Sequence, residues 1–223
     1  MQAASQSRIQ LGGVFSFRQF RHPSMIRALE SGDPGAVKYA LDNLPNDGYE
    51  EIDSWESVNA VMDEGRVKNL DVWLGSTAKP SAIYVALFGN TLSNGVGNHT
   101  PAVDWVLDDF HTTYNEYTAY TTGTVADPTT DSISRPTWSP DAAENNAGVV
   151  TIANTTAEAP FKFTDNYQIY GSVLIAGSAL KAGTNDTSSA NYLVAGTRFD
   201  NAPRTGSNGD KVTVLYTLRA NAG

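Results

Sequence analysis

The chain has 223 residues, a formal charge of −9 and no cysteine, which excludes disulfides, thiolate metal sites and cysteine nucleophiles. Its 40% hydrophobic content suits a sizeable core. No run approaches the ~18 apolar residues of a membrane helix, and the N-terminus lacks the apolar stretch of a signal peptide, so a soluble protein made without export is expected. Charge is uneven: residues 1–29 hold four arginines and no acid, whereas residues 30–75 hold eleven acids against Lys38, Arg66 and Lys68. A basic start on an acidic body favours an acidic partner, such as a neighbouring copy, over nucleic acid, whose phosphates the body would repel.

In chain order, residues 1–22 read as an extended arm. Leu11, Val14, Phe15, Phe17 and Phe20 lie among Gly12, Gly13, Arg8, Arg18 and Arg21. Each Phe taken out of water contributes ~1.5–3 kcal/mol, so the arm must pack on its own body or on a neighbour. Docking on a neighbouring subunit is the expectation, with Arg8, Phe15, Phe17, Arg18, Phe20 and Arg21 as the assembly residues. Pro23 then opens a helix over 24–30 that Gly32 stops. Asp33-Pro34 supplies an N-cap and first helical residue, and Val37, Ala40, Leu41 and Leu44 share one face before Pro45. Asp53 and Glu56 have capping-box spacing, and Trp55, Val58, Val61 and Met62 predict a further helix ending at Gly65. Val67, Leu70 and Leu74 predict a last short one before Gly75. The whole of 23–78 is thus expected to be a segment of short helices.

From Lys79 the pattern shifts to short strands at 82–88, 116–120, 135–138, 149–153, 160–164, 166–176, 192–199 and 211–219. In 166–176 apolar residues fall on both parities, so this strand is expected to be covered on both faces. In the last, Val212, Val214, Tyr216 and Leu218 alternate with Thr213 and Thr217, a half-buried pattern that Leu215 breaks. Residues 92–101, 121–134 and 181–191 read as loops, 141–148 as a turn, and 103–110 as one or two helical turns. The fold class expected is mainly β: an antiparallel β-sandwich-like domain over 79–223, preceded by the extended arm and the short α-helices.

Residues able to do chemistry are sparse. Asp104, Asp108 and His111 fall at i, i+4 and i+7 and could share a helix face around a divalent cation. With Val103, Trp105, Val106 and Phe110 packing inward, that face is more simply solvated, so no metal or cofactor is assigned. Glu116 with Asp104 or Asp108, near Trp105, Tyr117 and Tyr120, is the one carboxylate grouping suited to glycan hydrolysis. Twenty-four acids produce such groupings by chance, and no catalytic residue is assigned. Gly95-Val96-Gly97 lacks the helix and lysine of a phosphate loop. Trp55, Trp73, Trp105 and Trp138 read as core residues rather than sugar platforms, and His22 and His99 as ordinary polar residues. The Asn-x-Ser/Thr triplets at Asn98, Asn154 and Asn185 read as chance.

The succession YVALF, EYTAYT, RPTW, VVTIANTTAEAPFKFT, IYGSVLIA, LVAGTRFD and GDKVTVLYTLRA resembles that of a group of tailed-bacteriophage virion proteins labelled structural or tail proteins. The matching pieces are 67–88, 116–120, 135–138 and 149–219, spread over a span, 67–219, that is about two thirds of the chain. Ile169-Tyr170-Gly171 is its most specific piece, supported by Arg198-Phe199 and Gly209-Asp210. The resemblance implies a non-enzymatic virion component, assembled in the host cytoplasm, whose partners are copies of itself and other virion proteins, with no membrane. The expected place is the tail or fibre-attachment region, reached through the N-terminal arm. Capsid decoration is the alternative, and a carbohydrate-binding module for host-surface glycans is another.

Overall fold

The computed structural model describes residues 9–45, 47–76, 78–89, 107, 116–122, 134–156, 158–177 and 191–222. The first of these are not an arm. Strand β1 (Ile9–Arg21) lies between β13 (Lys211–Ala222) on one edge and β2 (Glu50–Val61) on the other, antiparallel to both. Its side chains alternate with period two: Gly13, Phe15, Phe17 and Gln19 are buried, and Val14, Ser16, Arg18 and Phe20 face outward. Phe15 and Phe17, two of the three Phe that argued for a neighbouring subunit, are therefore satisfied inside their own body, and the strand's backbone is paired with β13 over Ile9–Phe20 and with β2 from Gly13 on.

Residues 50–61 are likewise a strand and not the helix expected from Asp53 and Glu56. Trp55 stands opposite Phe17 and Ser57 opposite Phe15, all buried, while Val58 points out. Pairing with β1, and at Ala60–Val61 with β11 (Tyr192–Arg198), overrides the weak local helix pattern. Boundaries at residues 22 and 78 therefore cut through one sheet.

The three helices fall where local caps announce them. Helix α1 (Pro23–Ser31) is capped by His22, whose ring accepts from the Ser24 amide at 3.1 Å, and Gly32 closes it with φ 67°. Helix α2 (Pro34–Asp42) is capped by Asp33, which accepts from the Gly35 amide at 2.8 Å. The two pack on each other through Met25, Ala28 and Ala40. Helix α3 (Asp63–Leu74) follows β2, and Gly65, expected to end a helix, lies inside it. A Cβ there would meet the Val194 carbonyl at 2.7 Å, so glycine is what lets α3 touch β11.

The mainly-β architecture is as expected. The remaining strands are β3 (Ile83–Phe88), β4 (Tyr120–Thr121), β5 (Thr137–Trp138), β6 (Glu144–Asn146), β7 (Val149–Ala153), β8 (Ala159–Phe163), β9 (Tyr167–Ile169), β10 (Gly171–Ala176) and β12 (Arg204–Gly206). The main path runs β4-β8-β13-β1-β2-β11-β10-β3-β5, with β7 and then β6 beside the second half of β13; β9 and β12 form a separate ribbon. At β2 the sheet turns over itself. Phe15, Phe17, Phe161, Phe163, Val212, Val214 and Tyr216 of one layer meet Val85, Leu87, Trp138, Leu174 and Ala176 of the other, giving a sandwich-like core.

The run 166–176 divides at Tyr170 into β9 and β10. All six residues of β10 are buried. Leu174 and Ala176 face the main core, whereas Val173 and Ile175 face a second cluster with Met62, Ala86, Phe88, Leu107 and Leu193. The expectation of cover on both faces holds. Gly171 is required there: a Cβ would lie 2.1 Å from both the Phe88 ring and the Thr197 carbonyl.

Candidate functional site

Among the expected assembly residues, Arg8 lies outside the described residues. Phe15 packs on Tyr216 with ring centroids 4.4 Å apart, and Phe17 stacks on Trp55 at 5.2 Å. Arg21 grips Asp210 with both Nε and Nη2 at 2.7 Å. Fully buried Asp210 also accepts from Gln19 Nε2 at 3.2 Å and from the Ser207 amide at 2.9 Å. The hydrogen bonds to Asp210 hold the Arg21 guanidinium above its ordinary range, outweighing desolvation. This clamp fixes the turn that carries Gly209, whose φ is 85°. Arg18 bonds Glu51 at 2.8 Å, approaches Glu158 at 3.5 Å, and lies 5.0 Å over the Phe20 ring. Arg18 and Phe20 are on the outer face, and the other described members of the set serve the chain's own core and turns.

Glu116 is not placed as a general acid. Its carboxylate forms a bidentate pair with Arg135, both contacts at 2.8 Å, and both side chains are buried. Tyr120 lies nearby, its hydroxyl raised well above the ordinary range by burial and then by the Glu116 charge. Breaking one half of such a pair leaves a stranded charge, so the pair ties residue 116 to residue 135 inside the protein. Asp104, Asp108, His111, His99 and the loops 92–101 and 181–190 lie outside the described residues, as do 123–133. Trp55 and Trp138 are buried, as expected, and offer no stacking surface. Asn154 is also fully buried, its side chain bonded to Val214, Tyr216 and Trp138, so that triplet is no glycan acceptor in the folded chain.

What the surface presents instead is apolar. On α3, Val67, Leu70 and Leu74 are 57%, 55% and 84% exposed, on one face of the helix. The other end of the helix is fixed: Glu64 Oε2 accepts from the Leu193 amide at 2.9 Å and the Leu107 amide at 3.3 Å. Val58 on β2 is 80% exposed. The expected short helix thus forms, beginning earlier, at Asp63, with its apolar stripe turned to solvent.

Three cavities among the described residues touch the α1–α2 pair, one of about 470 Å³ between the two helices themselves and two against the sheet. Of those two, the first, of about 550 Å³, lies between Met25, Leu29 and Val37 and the polar Gln168, Thr205 and Asn208. The other, of about 540 Å³, opens beside α2 against Thr121, Lys162, Thr164 and Asn208. Burial lowers the Lys162 ammonium below its ordinary range. It lowers that of Lys211 to about 8, with help from the Lys162 charge and against the pull of Asp47. Sequence reading passed over these lysines, because only the register of β8 against β13 brings them together. Comparison of the chain with protein-family models, curated proteins and solved structures found no match.

Proposed function

We propose that this chain is a non-enzymatic structural subunit of a tailed-bacteriophage virion, seated at the tail or fibre-attachment region beside copies of itself and other virion proteins. The observation that carries the reading is the solvent-facing stripe Val67, Leu70 and Leu74 on a helix fixed to the body at its other end. Apolar side chains aligned on a rigid element gain ~25 cal/mol for each Å² that a neighbour covers, and such patches mark interaction surfaces. The stripe takes over the assembly role expected of the N-terminal residues, which β1 uses internally. The resemblance in sequence adds support: its Ile169-Tyr170-Gly171 piece is the point where the chain passes from the ribbon into the most buried strand.

Antibodies raised against the recombinant chain and applied to purified particles, with gold labelling, test this. Label on the particle is expected, concentrated at the tail. Particles free of label, with the chain found only in the host lysate, overturn the proposal. Label spread over the head in hundreds of copies assigns capsid decoration instead of the tail.

A further inference from the structure

The outer face of the larger layer carries a row of residues across five strands. Glu51 is opposite Phe20, Phe20 opposite Lys211, Lys211 opposite Lys162, and Lys162 opposite Thr121. Like charges directly across an antiparallel pair repel, and both lysines are half-buried, where water screens them less. Lys211 Nζ lies 3.7 Å from the centroid of the Tyr49 ring, whose hydroxyl donates to the Gly209 carbonyl at 3.2 Å. The Lys162 ammonium makes no hydrogen bond or ion pair with a described residue.

Lys162 opens onto the 540 Å³ cavity, with Thr121, Thr164 and Asn208 as polar walls and Leu41 and Leu44 as an apolar one. Asp42 also lines it, and its carboxylate, itself exposed, pairs with Lys38 at 2.8 Å along α2. Among the described residues, the groups facing Lys211 include Lys162 from β8, Phe20 from β1, and Tyr49 and Asp47 from the α2–β2 connection.

We propose that this cavity binds a ligand bearing a compact oxyanion, a carboxylate or a sulfate- or phosphate-type group, with Lys162 as the ion-pair donor, Lys211 adding its field, and Thr121, Thr164 and Asn208 donating hydrogen bonds. The chemistry follows from the donors: ammonium, hydroxyl and amide groups together suit a small, charged acceptor. The cavity is larger than one such group needs, and Leu41 and Leu44 give an apolar wall for the body that carries it, which fits an acidic sugar ring. Binding favours the charged ammonium of Lys211, so affinity is expected to fall as pH rises through about 8.

Titration of the folded chain with sulfate and with glucuronate, followed through the lysine side-chain resonances in carbon–proton correlation spectra, tests this. Sodium chloride at matched ionic strength is the control. Expected are saturable shifts at Lys162 and Lys211, an apparent affinity that weakens roughly threefold or more between pH 7 and 9, and loss of saturation in Lys162→Gln. Tighter binding of glucuronate than of sulfate identifies an acidic saccharide, and equal binding identifies the oxyanion alone. If neither anion shifts these resonances beyond chloride in the wild-type chain, or if Lys162→Gln titrates like wild type, the site does not exist. The outcome is independent of whether antibodies label a particle.

Discussion

Asn154 shows how one side chain substitutes for a stretch of strand. β7 leaves the edge of β13 at Ala153, opposite Thr217, and β8 takes it up only at Ala159, opposite Val214. In the gap, Asn154 Oδ1 accepts from the Tyr216 amide at 2.7 Å and from Trp138 Nε1 at 3.1 Å, and Nδ2 donates to the Val214 carbonyl at 3.0 Å. The amide thus satisfies β13 as a neighbouring strand would, and ties β5 to the opposite layer. The connection beyond it is anchored by Asp141, which accepts from the backbone amides and hydroxyls of Thr155 and Thr156. Asn154→Ala strands buried backbone groups that each cost ~1–3 kcal/mol to leave unpaired. A loss of about 2–5 kcal/mol in urea denaturation is expected. A loss under ~1 kcal/mol would mean that water replaces the amide. None of this is visible in the sequence, where Asn154-Thr155-Thr156 looks like any polar connection.

Among the elements, α1 and α2 were legible because their signals are local. Pro23 and Asp33-Pro34 act within a few residues, and Gly32 stops the first helix wherever it packs, whereas the cap that His22 supplies, where an ordinary polar residue is expected, shows only in the structure. β2 was not legible because Trp55, Val58, Val61 and Met62 fit a helical stripe while Trp55 and Ser57 also fit an alternation, and the partner strands decide between them. For α3 the period shows the helix but not its direction: a stripe at 67, 70 and 74 states that one face is apolar, not what covers it. That leaves a clean separation of stability from assembly. Leu70→Glu combined with Leu74→Glu alters side chains already in solvent, so the stability change is expected to stay within ~0.5 kcal/mol per site. Incorporation of the double variant, supplied in trans during particle assembly and measured by peptide quantitation, is expected to fall by roughly tenfold or more, as a lost apolar contact of ~1.4 kcal/mol implies. Wild-type incorporation would remove α3 from the interface.

At the scale of the molecule, most strands from β3 onward are readable because they alternate or are wholly apolar and are bounded by turn residues; β6, inside the expected turn at 141–148, and β12, where no strand is expected, are polar and short and are not. In the first strand the charge and terminal position point to an arm, while the period points to a strand. Gly13, Phe15, Phe17 and Gln19 share one parity, the mark of a strand with one buried face. The Lys162–Lys211 pairing could not be read at all, since register is a property of two distant segments. The placement of β1 makes a strong prediction about truncation. An arm can be deleted with only assembly at risk, whereas deleting residues 1–22 here removes the strand between β13 and β2. It also removes Phe15 and Phe17 from the core and Arg21 from buried Asp210. Each lost Phe side chain costs ~3–5 kcal/mol, and an unpaired buried carboxylate adds to that, against a typical total stability of ~5–15 kcal/mol. The truncated chain is expected to show no cooperative thermal transition and to aggregate through the two exposed strand edges. A truncated chain that melts cooperatively near the wild-type midpoint would overturn the sheet order and restore the arm.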